Sequence, residues 1–80
     1  MKTIRRPSHR QIIATTIGVR AGELETVDRE WIYRHGNHDH ALSENGDPLR
    51  EKAGREWKRH PKQSKAEDNG LTLWIAESIG

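Results

Sequence analysis

The segment Asp47–Pro61, DPLREKAGREWKRHP, carries helix signals from end to end. Asp47 is a good N-cap, because its carboxylate accepts from the free N–H groups of a first turn. Pro48 falls at the first helical position, where its missing N–H costs nothing. Leu49, Ala53 and Trp57 recur every four residues as a narrow apolar stripe. Glu51 and Arg55 are ordered for an i,i+4 ion pair. Lys58, Arg59 and His60 crowd the last turn, where the helix dipole favours cations, and Pro61 ends it. The segment therefore predicts an amphipathic helix over 48–60, which needs an apolar surface to lie on.

Strands are the expected surface. Residues 11–19, QIIATTIGV, place Ile13, Thr15, Ile17 and Val19 on one face at period two. A helix from His9 capped by Ser8 competes with this reading, but three Ile, two Thr and a Gly are poor helix formers. Residues 24–35 carry both a helix start at Thr26–Asp28–Glu30 and the strand formers Trp31, Ile32 and Tyr33. They are expected to form a strand pairing back on 11–19. Residues 36–46, GNHDHALSENG, read as a polar loop. Residues 62–70 hold no large apolar side chain and end in the turn signal Asn69-Gly70. Residues 71–76, LTLWIA, alternate as a strand. The expected fold is a small single α+β domain: a short antiparallel sheet of about 11–19, 24–35 and 71–76, with the helix 48–60 across it. Residues 1–10 are expected to be a flexible basic arm ahead of a domain over 11–80.

The material for a core is thin. Eighty residues contain three Trp, one Tyr and no Phe, and charged residues (32%) outnumber hydrophobic ones (31%). A chain of this size buries only about 60% of its unfolded surface, so a homodimer or a partner-stabilised fold is a fair expectation. Without cysteine there are no disulfides, thiolate nucleophiles or Cys-based zinc sites. That absence favours the cytoplasm for so small a domain. No stretch approaches the roughly 20 apolar residues of a membrane span, and no apolar run of signal-peptide length follows the charged start.

Charge is segregated. Lys2, Arg5, Arg6 and Arg10 stand without an acid in 1–10, while Glu23, Glu25, Asp28 and Glu30 dominate 21–34. Residues 47–65 carry seven cations against three acids, and 66–80 are acidic. On the expected helix, Arg55, Lys58 and Arg59 cluster on one face, with Lys62 beyond it and Arg50 nearby. Such a face, with Arg5, Arg6 and Arg10 of the arm, suits an anionic partner. Trp31 and Tyr33 are residue types enriched at interface hot spots.

A second cluster is His35, His38, Asp39 and His40, whose imidazole and carboxylate groups are the ligands Zn²⁺ takes. Gly36-Asn37-His38-Asp39 resembles the GNHD element of calcineurin-like metallophosphoesterases, in which the Asn binds metal and the His contacts phosphate. The resemblance covers four residues, and that family's DxH, GDxxD and GHxH elements are absent. There is also no GxSxG elbow, HExxH or glycine-rich phosphate loop.

The residues thus point to a non-catalytic binding or regulatory protein without a resident cofactor. In size and composition it resembles small inhibitors of phages and mobile elements. The expected partner is a protein or a protein–nucleic acid complex. Direct, sequence-independent DNA or RNA binding is the alternative, and metal binding by the His-rich stretch a second one.

Overall fold

Seven residues of β3 (His38–Glu44) pair antiparallel with seven residues of β5 (Leu71–Glu77), and this ladder is the middle of the sheet. The computed structural model describes residues 8–28, 32–44 and 46–79. On the far side of β3 lie β2 (Ile32–His35) and then β1 (Glu25–Asp28); on the far side of β5 lies the two-residue β4 (Lys58–Arg59). The order is β1-β2-β3-β5-β4, with every pairing antiparallel. Helix α1 (His9–Ile17) and the single turn α2 (Ser64–Glu67) complete the α+β domain. Among the described residues, no helix is long and apolar enough to cross a membrane.

The sheet has two covered faces because side chains alternate along each strand. On one face Tyr33, Leu42, Leu71 and Leu73 pack against Ile12, Ile13 and Ala14 of α1, with Leu24 and Ala66. On the other, Ile32, Ala41, Trp74 and Ala76 are covered by Trp57 and Leu49 from the connection between β3 and β4.

Residues 11–19 are not a strand. Ser8 caps α1, its side chain accepting from Gln11 N–H, and Gly18 closes it in the left-handed conformation at φ +83°. Ile12, Ile13 and Ala14 are buried in succession while Thr15 is exposed. A strand would send Ile12 and Ile13 to opposite faces, whereas a helix sets them about 100° apart on one side. The buried Thr16 hydroxyl is satisfied by donating to Ile12 C=O at 2.7 Å. Two buried Ile side chains, at about 2 kcal/mol each, outweigh the few tenths of unfavourable propensity per β-branched residue.

The helix over 48–60 is also absent. That stretch holds a 3-10 turn at Lys52–Gly54 and then β4. Ala53 and Gly54 both have positive φ, 59° and 70°, which a helix does not allow. Trp57 is buried as its stripe suggests, but its indole N–H donates to Lys52 C=O at 2.8 Å across a loop. Of the expected strand 24–35, residues 25–28 and 32–35 are extended, yet as two strands that pair with each other and not with 11–19; residues 29–31 lie outside the described residues. The expected loop 36–46 is reduced to a turn at Gly36-Asn37, since β3 begins at His38. Residues 71–76 do form a strand, extended to Glu77.

Past Arg59 the ladder on β5 is continued by a side chain. Leu73 N–H donates to Gln63 Oε1 at 3.0 Å, and Gln63 Nε2 donates to Leu73 C=O at 2.6 Å. His60 N–H reaches the same carbonyl at 2.9 Å. Leu73 is therefore fixed on its backbone and fully buried on its side chain. Leu73→Ala is expected to cost about 3 kcal/mol of unfolding free energy in a chemical denaturation series, with the chain still folded in the absence of denaturant.

Candidate functional site

Lys58, Arg59, Lys62 and Lys65 are all exposed, and residues 57–66 contain no acid. Lys58 and Arg59 stand on the edge strand β4, on opposite faces of the sheet, while Lys62 follows in the next turn and Lys65 lies in α2. The Arg59 guanidinium lies 5.9 Å from the centroid of the Trp74 ring, held over its face. Trp74 is itself anchored: its indole N–H donates to Ser43 Oγ at 2.8 Å, and Ser43 donates in turn to Asp47 C=O at 3.0 Å. Arg59 thus projects from a rigid support, while Lys58, Lys62 and Lys65 are free to follow a partner. Arg50 is also exposed, in the connection that precedes β4.

Arg55 does not belong to this surface. It ion-pairs with Asp39, whose side chain is fully buried, and is itself only 12% exposed. Arg34 Nε reaches the other carboxylate oxygen at 3.4 Å, from a position 40% exposed. Asp39 lies near the start of the central strand β3, buried on the Trp57 side of the sheet, so its charge has to be matched by groups brought to it. Arg34 comes from the neighbouring strand, directly opposite in register. Arg55 comes from the covering connection.

Arg10 is likewise structural, because it lies in α1 and donates to Leu24 C=O. Tyr33 is buried at 5% exposure, so it belongs to the core and not to an exposed hot spot. Burial raises its hydroxyl pKa, and the nearby Arg10 charge opposes the rise. Arg5, Arg6 and Trp31 lie outside the described residues.

The His-rich stretch is divided by the strand it forms. His38 and His40 face the α1 side, and Asp39 faces the opposite side. The set His35, His38, Asp39, His40 therefore does not converge, and among the described residues no three His, Asp or Glu side chains are placed to hold a metal ion. His40 instead meets His35, with ring centroids 6.2 Å apart, and His60, at 5.4 Å. His40 is buried at 3% exposure and His60 at 7%. His60 Nδ1 accepts from Lys62 N–H at 2.9 Å, while His40 Nδ1 is buried with no hydrogen-bond partner. Burial, reinforced by the charges of His60, His35 and His38, lowers His40 to about 4. Burial lowers His60 too, helped by Lys62 and His38.

Sequence reasoning missed Asp39 and His60 as buried groups and Arg34 as a partner of Asp39. Nothing in the string HGNHDH announces a strand, because its polar residues occupy both faces.

An open cleft of about 600 Å³ lies beside the C-terminal end of β5, lined by residues that include His38, Arg55, Glu56, Lys58 and Glu77. Its cations and acids are balanced, which gives it no strong preference for ligand charge. Comparison with protein-family models, curated proteins and solved structures finds no match for this chain.

Two outcomes follow from the buried groups. Asp39→Asn keeps the shape but leaves Arg55 uncompensated, and should cost about 3–5 kcal/mol in a denaturation experiment at neutral pH. His40, lowered in the folded state, is neutral there at pH values where the unfolded chain binds a proton. Its contribution is fully present above the unfolded value near 6.5 and is lost as pH falls from there towards about 4. The loss is on the order of 3 kcal/mol, measurable as a falling denaturation midpoint over that window.

Proposed function

We propose that this chain is a non-catalytic cytoplasmic binding protein that covers an anionic surface of a partner protein, in the manner of a small inhibitor. Its contact surface is the basic segment 58–65. The observation that carries this reading is the run Lys58, Arg59, Lys62 and Lys65, all exposed along the edge strand and the segment that follows it, with no acid among them. The buried aromatics support a charge-led contact: Tyr33, Trp57 and Trp74 are committed to packing and are not available as stacking platforms for bases. The side chains best suited to acid–base chemistry, Asp39 and His40, are closed off from solvent, which supports binding over catalysis.

The test uses fluorescence anisotropy with two labelled probes, a polyglutamate peptide and a mixed-sequence oligonucleotide, across a salt series. The wild type should bind polyglutamate saturably, and the double variant Lys58→Glu, Arg59→Glu, folded by circular dichroism, should bind about tenfold or more weakly. Binding of the oligonucleotide alone, with log affinity falling linearly in log salt, would replace the protein partner with nucleic acid.

A further inference from the structure

The basic segment rests directly on a pair of buried histidines. His60 lies inside the segment and turns its ring inward, 5.4 Å from the ring of His40 in the centre of the sheet. Its Nδ1 accepts Lys62 N–H, so the neutral ring holds the backbone between two of the exposed cations. Gln63, the next residue, clamps Leu73 of β5 with both ends of its amide. Beneath them His40 Nδ1 is buried without a partner. A proton on that atom would find no acceptor, and a proton on His60 Nδ1 would replace an acceptor with a donor facing Lys62 N–H.

The neighbouring charges add to this. Tyr33, His40, Ile75 and Lys58 form one cross-strand row, and His35, His38 and Glu77 form the next. Glu77 is the one acid in these two rows and stands opposite His38, not His40. Lys62 flanks His60 on the segment itself, and from α1 the facing charge is Arg10, beside Tyr33. An imidazolium at His40 or His60 is therefore set among cations, whereas the neutral pair is accommodated.

We propose that His40 and His60 are a proton-operated latch under the basic segment: neutral, they hold residues 58–65 against β5, and protonated, they release that segment while the rest of the sheet stays formed. The latch rests on the proposed binding role for its biological use, since it would regulate that surface, but not for its existence. Mild acidification alters the geometry in which Lys58, Arg59, Lys62 and Lys65 are presented.

Hydrogen–deuterium exchange of the full chain, without any partner and corrected for intrinsic exchange rates, tests this directly. Between about pH 7.5 and pH 5, peptides covering 57–66 should lose about tenfold or more of their protection and exchange well ahead of those covering β3, whose protection follows the global unfolding free energy. His60→Asn supplies a non-titrating acceptor for Lys62 N–H and should weaken the pH dependence of 57–66, leaving only the part due to His40. In the wild type, NMR titration of the histidine rings should give the same midpoint for His60 or His40 as for the Lys62 amide. The latch is overturned if 57–66 keeps its protection at the lower pH, if it exchanges no faster than β3 there, or if the ring and amide midpoints differ. It is also overturned if a folded His60→Asn variant opens as the wild type does. Because no probe is bound, failure of the segment to bind polyglutamate leaves these results untouched, and failure of the latch leaves the binding surface standing.

Discussion

A carboxylate with no access to water stands in the middle of this sheet, and one whole side of the molecule is arranged around it. Asp39 is fully buried on β3. An isolated buried carboxylate costs several kcal/mol, so it persists only with its charge matched in place. Arg34 alone, half in solvent at 3.4 Å, is a partial answer. Arg55 completes it, and to reach Asp39 it needs the connection 46–57 laid flat across the Ala41–Trp74 face. The same path places Trp57 and Leu49 over that face and lets Ser43 tie the start of the connection to Trp74.

This requirement also explains why strong helix signals in Asp47–Pro61 lose. In a helix Arg55 would lie about 160° round the axis from Trp57, on the solvent side when Trp57 is in the core. Asp39 would then be left with Arg34 alone. Against that penalty the helix offers a cap worth about 1 kcal/mol and side-chain pairs worth a few tenths each. The positive φ of Ala53, beside Gly54, shows the connection accepting local backbone strain to keep the long-range pair.

What the sequence made legible follows from the range of the interactions involved. The alternation of LTLWIA is a local property, and β5 forms where it predicts. The extended character of Ile32-Tyr33 is local too, and it decides correctly against a helix in β2. The cap at Ser8 was visible, yet its weight against five β-branched residues was not, because that balance is set by the burial of Ile12 and Ile13 under the sheet. β3 was invisible for a different reason: His38, His40 and Leu42 alternate with Asp39, Ala41 and Ser43, so neither face reads as apolar. Only the ladder to β5 and the charges supplied from β2 and the connection make that string a central strand. The candidate surface was half legible. Exposed cations in 58–65 can be read from composition, but the diversion of Arg55 and Arg10 into the interior depends on contacts distant in sequence.

The position of the cations also bears on how the surface should be understood. β4 is an edge strand, and edge strands are commonly protected from pairing with other chains by shortness, by Lys and Arg, and by proline. β4 has two residues, both cationic, and Pro61 follows closely. Lys58 and Arg59 are thus accounted for in part by edge protection alone. Lys62 and Lys65 are not, because they lie beyond the ladder, where Gln63 has already capped the free groups of Leu73. Nor does edge protection require Arg59 to be steadied over Trp74, since a mobile charge guards an edge equally well. The run of cations continuing past the strand to Lys65, and the steadying of the Arg59 guanidinium over Trp74, are the features that favour a contact surface over a guarded edge.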